Sequence, residues 1–112
     1  MNDEKHKLVF IKSALKDLKQ FPQGAKRKIG HDLDQIQDGL MPVTAKKLKG
    51  LSGVMELVER FDKDTYRAVY VVNIDSIVYV LHCFKKKSKT GIKTPQSDID
   101  LIKQRLKFVR ER

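Results

Sequence analysis

The residues of this sequence best suited to chemistry are cations and one imidazole: Arg60, Arg67 and His82, followed by the run Lys85, Lys86, Lys87 and Lys89. Guanidinium groups present N–H donors in a fork that fits phosphate oxygens, and an imidazole beside them can move a proton near neutral pH. Such a set suits holding or cutting a phosphodiester. The lysine run adds an attraction to nucleic-acid backbone that needs no particular base sequence. Plainer uses stand beside this one. Arg60 can pair with Glu59 or Asp62 on a solvated strand, Arg67 can belong to a structural ion pair, His82 can be a satisfied half-buried histidine, and the lysines can cover a loop in water. Cys83 reads as a small buried hydrophobe. His6 and His31 have no partners at metal-ligand spacing, so neither is assigned to a metal, and no cofactor is expected.

What must position these groups is a set of strands. From Val54 to Phe84 the chain is rich in β-branched and aromatic residues in three runs, Val54–Phe61, Tyr66–Val72 and Ile77–Phe84, joined by turns at Asp62 to Thr65 and Asn73 to Ser76. A loop centred on Lys63 and Asp64 pairs Arg60 with Arg67, and a loop centred on residues 74 and 75 pairs Arg67 with His82. All three then share one cross-strand row. Val58, Val69 and Val80, then Glu56, Val71 and Val78, fall on the same face. Two arginines facing each other in a sheet repel, so an anion between them would remove the conflict. The opposite face collects Met55, Leu57, Phe61, Tyr66, Ala68, Tyr70, Val72, Ile77, Tyr79, Leu81 and Cys83, and is expected to take the helices.

Those helices are legible from periodicity. Phe10, Ala14, Leu15, Leu18 and Phe21 recur at helical spacing until Pro22 and Gly24, and a short strand at Leu8–Phe10 precedes them. Ala25, Ile29, Leu33, Ile36 and Leu40 mark a second helix, stopped by Gly39 and Pro42, so the two form a hairpin. Thr94 as cap, Pro95 in the first turn, Asp98 and Asp100 near the positive end of the dipole, then Ile99, Ile102, Leu106 and Val109, give a last helix. The reading is an α+β domain with an antiparallel meander.

Length and charge bound the rest. A chain of 112 residues fits a single domain, 1–112, that buries about 65% of its unfolded surface. The net charge of +10 points to a polyanionic partner, and residues 85–112 hold most of it, with ten Lys/Arg against three Asp/Glu. No run approaches the roughly 20 apolar residues of a membrane span, and residues 1–7 are too polar for a signal peptide, so a cytoplasmic protein is expected. One cysteine allows no internal disulfide. The last helix keeps a core-facing apolar stripe, which argues against a membrane-surface role.

Beyond composition, the segments Lys47-Leu48-Lys49-Gly50-Leu51, Met55-Glu56-Leu57, Tyr66-Arg67-Ala68-Val69-Tyr70, Val80-Leu81-His82-Cys83-Phe84-Lys85-Lys86-Lys87-Ser88 and Thr94-Pro95 resemble, in order and spacing, the phage-derived HigB-like branch of the RelE/ParE toxin superfamily. The resemblance implies a RelE-like fold, in which an N-terminal helical hairpin packs on a curved antiparallel β-sheet with a C-terminal helix. It implies the toxin of a type II toxin–antitoxin system, a metal-independent endoribonuclease (mRNA interferase) cutting mRNA on the ribosome, neutralised by a helix-turn-helix, HigA-like antitoxin. By position, Arg67 matches the arginine of the family's Tyr-Arg-x-x-Tyr pattern, expected to stabilise charge on the phosphorane. His82 and Lys85 to Lys87 match its basic strand end. Arg67, His82 and Lys87 are thus the expected catalytic group, with Arg60, Lys85, Lys86 and Lys89 on the RNA phosphates. Two other readings stay open: a ParE-like toxin that binds gyrase, which would need no proton-transfer group, and a catalytically silent RNA- or antitoxin-binding module, favoured if the cationic row is pinned by Glu56 and Glu59.

Overall fold

A computed structural model describes residues 5–73, 75–87 and 94–111. The elements run β1 (Leu8–Phe10), α1 (Ala14–Lys19), α2 (Gln23–Gln37), β2 (Ala45–Lys47), β3 (Val54–Phe61), β4 (Asp64–Val72), β5 (Val78–Lys87) and α3 (Gln96–Arg110). The sheet order is β1-β5-β4-β3-β2. The three long strands form the expected antiparallel meander, but β1 lies parallel to β5, so the sheet is mixed.

Helix boundaries follow the local signals. α2 ends in a left-handed Gly39 (φ 83°), where the Leu40 N–H donates to the Gln35 carbonyl and the Gly39 N–H to that of Ile36. This closes the orphan carbonyls of the last turn and leaves Leu40 outside the helix. α1 and α2 each pack mainly on one face of the sheet, α1 against β5 and α2 against β3 and β4. There Ala14, Leu18, Ala25, Ile29, Leu33 and Ile36 meet Leu57, Tyr66, Ala68, Tyr70, Val78, Val80 and Cys83. Burial pushes the Cys83 thiol up to about 12, so it behaves as the hydrophobe the sequence suggests. The other face is not free: Ile102, Leu106 and Val109 of α3 cover Val54, Val69, Val71, Tyr79 and Leu81. Fully burying one such aliphatic chain is worth about 1.5–3 kcal/mol, enough to hold α3 on the sheet.

The strand register differs from the expected one, and the reasons are local. Asp62 and Lys63 both take positive φ (49° and 75°), so they form the two-residue turn themselves and pair Phe61 with Asp64. Arg67 therefore faces Val58, and Arg60 faces Thr65. A slip of two residues keeps every side chain on its face. The second hairpin is longer, because the Asn73 side chain accepts the N–H groups of Asp75 and Ile77 and Val72 pairs with Val78. That offset of one residue sends Tyr79 to the α3 face and Val78 and Val80 to the α1/α2 face, the reverse of expectation. A β-bulge then restores the original parity: Tyr70 pairs with Val80 but Val69 with His82, leaving Leu81 extra. Beyond it His82, Phe84 and Lys86 share the Arg67 face. Val72, assigned to the core, is exposed, and Ile77 joins the α3 side.

Candidate phosphodiester site

The bulge is what brings the chemical residues together. Its extra carbonyl, that of Leu81, accepts from Arg105 Nη1 at 2.8 Å, while Arg105 Nη2 donates to Ser13 Oγ at 3.0 Å. A buried arginine on α3 thus satisfies the backbone group freed by the bulge and ties α3 to the start of α1. On the strand segment after the bulge, His82 lies opposite Val69 and Phe84 opposite Arg67, which makes Arg67 and His82 diagonal rather than direct neighbours. The expected row of Arg60, Arg67 and His82 does not form. Arg60 is exposed at the far end of β3, opposite Thr65.

Arg67 has a carboxylate where an opposing arginine was expected. Its Nη1 donates to both carboxylate oxygens of Glu56, at 3.0 and 3.1 Å, and both side chains are about nine-tenths buried. The sequence placed Glu56 on this face and named it, with Glu59, as a residue that could pin the cationic row; it pairs with Arg67, while Glu59 lies beside Asp32 instead. Arg67 Nε is buried and has no hydrogen-bond partner among the described residues. His82 is 6% exposed, and its Nε2 lies 2.7 Å from Asp98 Oδ1 in the first turn of α3. Its ring stacks on Phe84, centroids 4.8 Å apart and planes 16° from parallel. The other ring nitrogen, Nδ1, is buried and without a hydrogen-bond partner among the described residues. Asp98 had been read only as a helix-dipole residue; its reach to a strand residue sixteen positions earlier is a tertiary contact with no local signature.

Strand alternation divides the lysine run. Lys86 shares the face of Arg67 and is buried, so it is not the open phosphate contact expected. Its pKa is lowered, first by desolvation and then by Arg67, against a smaller opposing pull from Glu56. Lys85 points to the opposite side of the strand, is exposed, and approaches Asp64 at 3.7 Å. The backbone of Lys87 pairs with Asp64 at the end of β5, while its side chain, and the whole of Lys89, lie outside the described residues. The site is therefore a cross-strand group of Arg67, Lys86 and His82, balanced by Glu56 and Asp98. Two buried nitrogens in it, Arg67 Nε and His82 Nδ1, lack hydrogen-bond partners among the described residues. Fixed positive charge and an imidazole in one desolvated place can stabilise a developing anion and exchange a proton.

A second titratable cluster lies behind the sheet. Asp32 on α2 is buried and accepts from Thr44 Oγ1 at 3.0 Å, and it neighbours Glu59 of β3. Desolvation, then the hydrogen bond and charge of Asp32, push the Glu59 carboxyl up to about 7. A cavity of about 570 Å³ opens there, lined in part by Gly24, Arg27, Lys28 and Phe61. No group of three or more His, Cys, Asp or Glu residues suited to a metal occurs among the described residues.

Residues 16–107 match the model of the family described as Phage derived protein Gp49-like. No curated protein matches the sequence. Among solved structures, the chain is similar to a double arginine-to-alanine variant of E. coli toxin RelE in the free state, with TM-score 0.58 and 20% identity over 78% of this chain and 87% of that one. It is also similar to the toxin–antitoxin complex RelBE2 of Mycobacterium tuberculosis, with TM-score 0.53 and 19% identity over 73% of this chain and 99% of that one. The fold is RelE-like, as the sequence resemblance implied.

Proposed function

The chain belongs to the phage-derived Gp49-like family, and from that premise we propose that it is the toxin of a type II toxin–antitoxin pair, an mRNA endoribonuclease that works on the ribosome in the cytoplasm. The observation that carries the reading is the pair of unpartnered buried nitrogens, Arg67 Nε and His82 Nδ1, on one face of the sheet. Arg67 Nε is a donor, whose lack of a partner costs about 1–3 kcal/mol that an arriving anionic oxygen would recover, while His82 Nδ1 is placed to accept a hydroxyl proton. In this reading the RNA 2′-oxygen attacks the adjacent phosphorus, forming a cyclic phosphate as the bond to the 5′-oxygen breaks. His82 accepts the 2′-hydroxyl proton, and the departing 5′-oxygen takes up a proton from the site or from water. Arg67 and Lys86 oppose the charge that builds on the phosphorane oxygens. Lys85, Lys87 and Lys89 add attraction to the backbone, and Arg60 contributes at longer range. No metal is assigned to any step. The neutralising partner is a helix-turn-helix antitoxin of the HigA type.

The closed geometry favours a second reading. Arg67 is engaged by Glu56 and His82 by Asp98, and both are buried; a catalytically silent RNA- or antitoxin-binding module would look the same. Induction in bacterial cells separates the two. Wild type should arrest growth and leave new mRNA 5′ ends at fixed codon positions, while Arg67→Ala and His82→Ala lose this by about 100-fold or more. Arrest with intact mRNA would redirect the search to gyrase, and no arrest would leave the binding module.

A further inference from the structure

We infer that Asp98 is a positioning residue: its carboxylate holds the proton of His82 on Nε2 and so presents Nδ1 to the substrate. The inference rests on the nuclease reading and adds to it the residue that decides which ring nitrogen acts. A carboxylate only accepts hydrogen bonds, so at 2.7 Å from Asp98 Oδ1 the imidazole Nε2 is the donor. The neutral ring then has its lone pair on Nδ1, the atom left without a hydrogen-bond partner.

Three features keep this arrangement fixed. The ring is stacked on Phe84 and cannot turn over without displacing it. Asp98 stands in the first turn of α3, where the unpaired N–H groups of the helix start favour a negative charge. α3 itself is anchored to the sheet by Ile102 and Leu106 and by the Arg105 bond to the Leu81 carbonyl, next in sequence to His82. The histidine and the group that orients it are therefore mounted on two elements locked together at one point. Phe84 is only half-buried, so the His82 ring is stacked on a side chain that reaches the surface.

The test uses the full chain with nitrogen-labelled histidine. In wild type the His82 signals should show Nε2 protonated and Nδ1 bare, with a strongly downfield Nε2 proton; Asp98→Ala should lose that proton signal. On ribosomes carrying a defined mRNA, Asp98→Ala should lower kcat by about 100-fold with KM unchanged, and Asp98→Glu should recover to within about tenfold of wild type. Thermal melts of both variants within a few degrees of wild type exclude simple loss of fold. Wild-type cleavage matched by Asp98→Ala, or a wild-type ring protonated on Nδ1, overturns the assignment and leaves the nuclease reading standing. Absence of cleavage by wild type removes the nuclease reading, and the assignment falls with it.

Discussion

Replacing Glu56 by glutamine tests the central electrostatic claim, because it removes the negative charge from a pair in which both side chains are about nine-tenths buried. Breaking such a pair from one side strands the other charge away from water and costs about 3–5 kcal/mol. The upper half of that range applies here, because Lys86 is buried on the same face and already feels Arg67, so losing the Glu56 charge leaves two buried cations with less to offset their repulsion. Unfolding entropy of about 2.1 cal/mol/K per residue, taken over 112 residues, makes one kcal/mol worth about 4 °C in Tm. Glu56→Gln should therefore melt about 16–20 °C below wild type by scanning calorimetry. The loss should change little when salt rises from about 0.1 to about 1 M, since buried charges are weakly screened. The double variant Glu56→Met with Arg67→Met should regain most of the stability, because well-packed apolar groups replace a buried pair at little cost. A drop of less than about 4 °C, or one that salt abolishes, would refute the burial and pairing described.

Two more outcomes follow from the remaining polar contacts. Glu59 holds its proton in the folded state up to about pH 7 but releases it near 4.5 when unfolded. The folded state thus binds more protons between those values, so stability falls as pH rises through that window and is level above it. Glu59→Gln should flatten the profile in urea unfolding measured at a series of pH values. Arg105→Met should lose about 2–4 kcal/mol by the same method, because the Leu81 carbonyl and Ser13 both lose a charged donor, whereas Ser13→Ala should lose about 1 kcal/mol.

The sequence was most readable where pattern repeats, and least where a single residue changes the count. The three long strands and α2 follow from runs whose period is unmistakable, and the face of Arg67 was right because a two-residue error in a hairpin changes partners without changing sides. The turn itself was missed because Asp62-Lys63 places a lysine in a left-handed conformation that asparagine or glycine usually announces. The bulge at Leu81 has no signature of its own; it is held by Arg105, twenty-four residues later. Its effect on the faces was therefore hidden, and so was the covering of the second face by α3. The short strand β2, Ala-Lys-Lys, has weak strand preference and exists because it pairs with β3. Glu56 was named only as one of two carboxylates that could pin the cationic row, and Asp98 was not linked to His82, because a pairing between charges is decided by register and helix docking, neither of which a single side chain reports.

The join between Ser13 and Arg105 spans ninety-two positions, and β1 finds its place only beside the later strand β5. Contacts of such long range carry a loop-closure entropy that must be met before they stabilise anything, which slows folding relative to a fold built from local contacts. The face bearing Arg67 and His82 is assembled only once α3 has been made and has docked. Until then the apolar surface of Val54, Val69, Val71 and Leu81 that α3 covers stands open to water.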